Sequence, residues 1–159
     1  MILYHLEKWK YKELWPPEGS LHADGRWNIT GQWIIYTSPT ISLAKLEILA
    51  NEINLPIKRV CFTIELPDTI DVYEISKKKL PPNWMGKPYP TGLAKLTSEF
   101  LKKGGLVMQV PSAHSFTENS YLLNVRHPEF HQLVKVINVR EEPFDTKLKW
   151  EKLLHTVLV

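Results

Sequence analysis

The sequence predicts an α/β fold, a mixed sheet with flanking helices, organised as a single domain over residues 1–159. Three observations carry that expectation. Short runs of β-branched and aromatic residues recur from Ile2 to Val139, the composition of half-buried strands. Helical periodicity occupies two longer stretches between them, residues 39–52 and 93–103. Finally, 159 residues with 43% hydrophobic content suffice to bury one core and fall short of two ordinary domains.

Residues 2–6 read as the first strand, and KWKYKELWPPEGSLHADG after them as an irregular connection. Trp9 and Trp15 in that connection are expected to cover the core beneath a long loop; the alternative is a base-stacking platform beside their lysines. Asp24-Gly25 marks a turn, and residues 33–37 a strand. Ser38-Pro39 then looks like a helix start, the Ser oxygen capping free N–H groups and Pro losing no hydrogen bond at the first helical position. A helix over 39–52 follows.

Residues 58–65 and 69–75 read as two framework strands joined by a Pro67-Asp68 turn, with Val60, Phe62, Ile64 and Leu66 alternating on one face. The single Cys61 lies in this apolar run and has no partner for an internal disulfide, so it reads as a small core residue in a reducing compartment. Residues 76–92 hold four of the twelve prolines and form a loop, whose Lys77 to Lys79 run is read as a solvated face. A helix over 93–103 is closed by Gly104-Gly105, and a short apolar strand over 106–110 runs directly into PSA. Ser112 there is either a ligand-contacting group at a strand end or an ordinary turn residue. NSYLLNVRHPEFHQL has a strand-like centre, a turn at 124–127 and a short helix started by Pro128; residues 133–139 form the last strand. His127 and His131 have the i, i+4 spacing of a helical metal clasp, but Pro128 puts His127 outside the helix and no third ligand is near, so no metal site is expected.

The centre of interest is GRWNITGQWIIYTSPTISLAKLEILANE, residues 25–52, where Arg26, Tyr36 and Glu47 are 10 and 11 residues apart. At 100° per residue, Leu43, Leu46, Leu49, Ala50 and Ile53 form an apolar stripe, with Lys45 and Glu52 on the solvated side. Glu47 lies roughly 140 to 160° around from those two charges, beside Leu43 and Asn51 at the stripe's edge. A carboxylate leaning toward the protein body needs a partner, and a partly desolvated one is a candidate for chemistry. The plainer reading is a solvated or locally paired helix Glu.

Several function classes lose support. There is no GxGxxG, no Walker GxxxxGK[ST], no GxSxG and no CxxC, which removes the signatures of a Rossmann site, a P-loop, a hydrolase elbow and a zinc ribbon. Twenty Lys and Arg against 17 acids give +3, compatible with an anionic ligand but far from a dedicated nucleic-acid binder. No signal-peptide hydrophobic region and no 18-residue apolar span occurs, so a cytoplasmic protein without membrane attachment is expected.

Taken together, the Arg in GRWN, the Tyr in IIYTS, the Glu in LAKLEIL, the Ser in VPSA and the later NSYLLNVRHPEF resemble the RES domain family, in order from about residue 4 to residue 140. The resemblance implies a toxin of a bacterial toxin–antitoxin pair with a fold similar to that of ADP-ribosyltransferase toxins. It implies NAD as substrate rather than cofactor, an Xre-type antitoxin that blocks the active site, and a homodimer bound to that antitoxin. Carried over by motif, Arg26, Tyr36, Glu47 and Ser112 match the family's Arg, Tyr, Glu and Ser, while Asn124 and His127 fall in a recurrent motif. One departure stands out: many members have Tyr-Arg in the first strand where this chain has Tyr4-His5. His5 keeps hydrogen-bonding capacity but gives up a permanent charge and a two-pronged donor, so phosphate binding there is expected to be weaker or pH-dependent.

The chemistry accounts for these residue types. Nicotinamide leaves NAD through an oxocarbenium-like transition state of the kind met in glycoside cleavage, and a carboxylate such as Glu47 stabilises the ribose charge or orients the attacking group. Arg26 can fork two hydrogen bonds to the pyrophosphate, Tyr36 offers a flat face to the nicotinamide, and Ser112 can hydrogen-bond the ribose or amide. His5 and Asn124 complete the expected substrate contacts. The expected activity is NAD degradation by hydrolysis or phosphorolysis. The alternatives are ADP-ribosyl transfer to a protein, a member that binds NAD or antitoxin without turnover, and a non-catalytic nucleic-acid-binding module using the Trp and Lys residues.

Overall fold

A computed structural model describes residues 1–54 and 58–148; the last part of the expected domain, residues 149–159, lies outside the described residues. In chain order the elements are β1 (Ile2–Lys8), α1 (Gly19–His22), β2 (Ile34–Thr37), α2 (Ile41–Asn51), β3 (Lys58–Glu65), β4 (Val72–Glu74), α3 (Thr91–Lys102), β5 (Val107–Pro111), β6 (Asn119–Asn124), α4 (Phe130–Leu133) and β7 (Lys135–Pro143). The strands divide between two sheets rather than forming one. The first has the order β1-β3-β7 and the second β2-β6-β5-β4. Every pairing is antiparallel except β4 with β5, so only the second sheet is mixed.

Strand alternation explains how the layers stack. On β3, Val60, Phe62 and Ile64 face a core shared with Leu3 of β1 and with Ile35, Val107 and Leu123 of the second sheet. The intervening Cys61 faces the opposite way, joining Leu6, Ala44 and Phe144 beneath α2. In the second sheet, Met108, Val110 and Leu122 turn outward to meet Leu93 and Phe100 of α3. The order of layers is therefore α2, first sheet, second sheet, α3. Burying each of these large side chains contributes on the order of 1.5–3 kcal/mol.

The expected pairing of 58–65 with 69–75 does not occur. After the Pro67 turn the chain crosses to the other sheet, where the short β4 pairs in parallel with β5. Apolar alternation marks a strand but not its partner, and the crossover places β4 against α3's core through Tyr73. Trp9 and Trp15 pack against the inter-sheet core, as expected, and Trp15 lies 5.1 Å from the Phe62 ring.

Helix α2 starts two residues later than expected. Ser38 is still extended: its N–H and carbonyl both pair with Tyr4, at 2.9 and 2.8 Å, in a bridge that ties the two sheets together. Thr40 caps the helix instead, its hydroxyl accepting the Leu43 N–H at 3.1 Å. The apolar stripe is also rotated. Leu43 and Ala44 are buried, with Ile48 and Leu49 packed beneath, whereas Leu46 is 39% and Ile53 95% exposed. Apolar residues surround most of this helix, so periodicity alone did not single out the buried face. The two charges expected on the solvated side are paired: Lys45 bonds Glu142 at 2.7 Å, and Glu52 bonds Arg59 at 2.6 Å.

Helix α3 ends where Gly104 takes a φ of +72°, a conformation that costs glycine little. At the short last helix, Glu129 precedes Phe130 as the flanking residue, so Pro128 stands outside rather than at the first helical position. No helix among the described residues is long and apolar enough to cross a membrane.

Candidate active site

The Tyr4–Ser38 bridge leaves a cavity of about 380 Å³ where β1, β2 and α2 converge. Its wall includes His5, Arg26, Tyr36, Glu47, Tyr89 and His114. That size falls within the range of small-molecule sites. Segments distant in sequence meet here because α2 lies on the outer face of the first sheet while the turn after β5 reaches it from the second.

Glu47 is the most closely held of these groups. Ser112 donates its hydroxyl proton to Glu47 Oε1 at 2.8 Å, and His114 Nε2 lies 3.5 Å from Glu47 Oε2. The Ser112 oxygen itself accepts the backbone N–H groups of His114 and Ser115, at 3.1 and 3.2 Å. With its proton committed to the carboxylate and its lone pairs to the turn, Ser112 is a fixed donor. It is 2% exposed and does not line the cavity. Ser112, expected to contact a bound ribose or amide directly, stands behind the cavity wall and holds Glu47. The turn carrying it is closed by the Ser112 N–H on the Glu118 carbonyl at 3.0 Å and by Ser115 Oγ on Glu118 Oε2 at 2.6 Å.

Arg26 enters from the loop before β2. Its Nη1 donates to the Trp84 carbonyl at 2.6 Å, and its guanidinium lies 4.8 Å from the centre of the Tyr89 ring. One donor is spent on positioning, and the fork keeps others for a ligand. Tyr36, on β2, donates its hydroxyl to Asn28 Oδ1 at 2.8 Å and accepts the Trp27 N–H at 3.1 Å. Burial pushes the Tyr36 phenol far above its ordinary value, outweighing the Trp27 N–H that opposes it, so this hydroxyl stays protonated. Gly25 is needed beneath it: a Cβ there would come within 2.5 Å of both Asn28 Oδ1 and the Tyr36 oxygen.

His5 lies at the β1 end. Its Nδ1 is 2.8 Å from the Tyr36 carbonyl, which can only accept, so Nδ1 carries the proton. Nε2 makes no hydrogen bond and sits 3.7 Å from Glu7 Oε2. Burial raises the Glu7 carboxyl, but His5 and the Lys8 N–H, assisted by Arg59, more than offset it and leave the group below its ordinary range.

Arg26, Tyr36, Glu47 and His5 thus share one cavity, and Ser112 stands directly behind Glu47. Asn124 does not join them. Its amide donates to the Gly105 carbonyl at 2.9 Å and its oxygen accepts the Arg126 N–H at 3.1 Å, against a separate depression beside Trp33, Arg126 and His127. Its expected substrate contact is corrected to a structural role joining β6 to the turn before β5. His127 Nδ1 accepts the Glu129 N–H, and no group of three metal-ligating side chains gathers among the described residues. Tyr89 and His114, both on the cavity wall, went unnoticed in the sequence. Tyr89 was hidden in a proline-rich loop; His114 stands two residues after Ser112, a proximity that was the available signal.

Comparison with known proteins is consistent in one direction. The RES domain family model matches residues 2–147. A protein named Toxin Res from Yersinia enterocolitica is 31% identical over 153 residues, covering 94% of this chain and all of the relative. A Toxin Res from Photorhabdus laumondii is 31% identical over 155 residues, covering 93% and 97%, and one from Pseudomonas putida is 34% identical over 116 residues, covering 70% and 77%. Among solved structures, a chain of the M. tuberculosis MbcT–MbcA toxin–antitoxin complex superposes with a TM-score of 0.66 at 12% identity, over 89% of this chain and 84% of that one.

Proposed function

The chain belongs to the RES domain family, and on that premise we propose that it is the toxin of a toxin–antitoxin pair that degrades NAD by cleaving the bond between nicotinamide and ribose. The relatives' name supports the toxin role. The observation that carries the chemistry is Glu47: a carboxylate anchored through one oxygen by Ser112, on the wall of a cavity that it shares with Arg26.

In this reading Arg26 binds the pyrophosphate with the donors left free by Trp84, and Tyr36 and Tyr89 border the flat rings. The ribose then lies against Glu47. As the glycosidic bond stretches, positive charge grows on the sugar, and a fixed carboxylate stabilises it more than it stabilises the ground state. Water or phosphate takes the ribose carbon. The partner in this reading is an antitoxin of the Xre type that covers the cavity; the solved toxin–antitoxin complex, one chain of which shares the fold, supports an antitoxin partner and no more than that.

The test is incubation of the protein with NAD while following free nicotinamide. Release that disappears in Glu47→Gln is expected; no release from the native protein, or full activity in the variant, overturns the reading. NAD labelled in the ADP-ribose half separates depletion from ADP-ribosyl transfer: label in small products supports the former, label retained on a macromolecule the latter. Trp9, Trp15 and Trp33 pack against the inter-sheet core and Trp27 is buried, which argues against these rings as the stacking platform of a nucleic-acid-binding module.

A further inference from the structure

We propose that His114 is a positioning residue that relieves Glu47 of the acceptor's proton during turnover; the inference rests on the NAD-cleaving reading above. Its imidazole meets Glu47 Oε2, the oxygen that Ser112 leaves free, at 3.5 Å. Both His114 and Glu47 line the cavity, and the His114 side chain keeps 23% of its surface exposed. It therefore bridges the carboxylate and solvent.

Other titratable groups of the cavity wall are directed away from Glu47. Glu52 is bonded to Arg59 at 2.6 Å and the Tyr36 hydroxyl to Asn28, while the His5 nitrogen left without a hydrogen bond faces Glu7 at 3.7 Å rather than Glu47. Ser112 is a fixed donor with no lone pair to spare. Among the described residues His114 is the base in contact with Glu47. It is also held in place, because its own backbone N–H bonds the Ser112 oxygen that anchors Glu47.

Such a group has a use when water is the acceptor. When the ribose–nicotinamide bond breaks, its electron pair returns to the pyridinium nitrogen and neutral nicotinamide leaves without taking a proton. When water is the acceptor, its oxygen forms the new bond to the ribose carbon and must lose a proton; the anionic oxygen of phosphate carries none. That proton passes to Glu47 Oε2 and then to the lone pair of His114 Nε2, restoring the carboxylate, and the imidazolium releases it to solvent.

The deciding experiment measures nicotinamide release from NAD by the native protein, His114→Gln and His114→Ala, with and without added imidazole. Both variants are expected to lose about 10- to 100-fold in kcat with KM changed less than about threefold, and imidazole is expected to restore part of the rate of His114→Ala. Gln fills the same space and keeps a hydrogen-bonding group but accepts no proton, so retention of kcat in His114→Gln overturns the inference, even if His114→Ala misfolds. A loss expressed in KM alone overturns it as well. These outcomes leave NAD cleavage standing, whereas a native protein that releases no nicotinamide overturns that reading and this inference with it.

Discussion

Ser112 and Glu47, 65 residues apart in the chain, meet through a single hydrogen bond of 2.8 Å between the serine hydroxyl and Glu47 Oε1. The bond joins a turn at the end of the second sheet to a helix packed on the outside of the first. It fixes which carboxylate oxygen remains for chemistry, and it turns the serine into a support for the carboxylate.

Ser112→Ala is therefore expected to lower kcat for nicotinamide release by about 10- to 100-fold while leaving KM for NAD nearly unchanged, since a misplaced carboxylate costs transition-state stabilisation more than binding. Glu47→Gln is expected to cost more, about 100-fold or beyond. Steady-state kinetics of the two variants check this; a large rise in KM for Ser112→Ala would show that the serine touches substrate after all.

Arg26→Lys should act in the opposite way. A lysine cannot reproduce a fork that bonds the Trp84 carbonyl and lies over Tyr89 while still reaching a pyrophosphate. An increase in the KM for NAD of about tenfold, equivalent to ~1.4 kcal/mol, is expected with a smaller change in kcat. Steady-state kinetics over a range of NAD concentrations measures it, and an unchanged KM would show that the fork does not touch the pyrophosphate.

Gly25→Ala should damage stability and site together. Its new methyl would press on Asn28 Oδ1 and the Tyr36 hydroxyl at 2.5 Å, in a region where the backbone is pinned by the Gly25 N–H on the Asn28 carbonyl. Overpacking of this kind costs about 1–3 kcal/mol. Urea denaturation should show the loss, and an unchanged midpoint would mean that the loop moves aside freely.

Glu52→Ala tests the pair at the far end of α2. Arg59 is 5% exposed and its Nε makes no hydrogen bond, so removing Glu52 leaves a buried guanidinium short of its charge partner. A destabilisation of about 1–3 kcal/mol is expected, below the full cost of an unpaired buried charge because Glu52 is itself partly exposed. Thermal unfolding of Glu52→Ala and of the double variant with Arg59→Met would show recovery in the second if the penalty is the orphaned charge.

Acid should weaken the β1 edge through Glu7. Its folded carboxyl titrates below the ordinary value of 4.5, against the raising effect of burial, because His5 and the Lys8 N–H hold the ionised form. A depressed folded value means that the stabilisation is complete above about pH 4.5 and is lost as pH falls through the folded value. Glu7→Gln should flatten the acid limb of stability in that window; urea midpoints between pH 6 and pH 3 measure it.

Much of this molecule was legible in the sequence because its signals are local. Alternating apolar residues marked the strands, the glycines after residue 103 marked the end of α3, and Arg26, Tyr36 and Glu47 stand within 22 residues of one another on a turn, a strand and a helix. What the sequence left open depends on partners far along the chain. Ser38 looked like a cap, but its backbone is taken by Tyr4; the residues of β4 looked like half of a hairpin, but their partner is β5; Asn124 looked like a ligand contact, but its amide serves Gly105. The apolar girth of α2 offered several faces for burial, and only packing against Leu6 and Cys61 selected one. The sequence by itself determined most of the elements, through composition and spacing, and its resemblance to the family indicated the functional residue types. The tertiary structure decided that Ser112 supports Glu47 and that His114 faces its other oxygen, because long-range hydrogen bonds and packing set those positions.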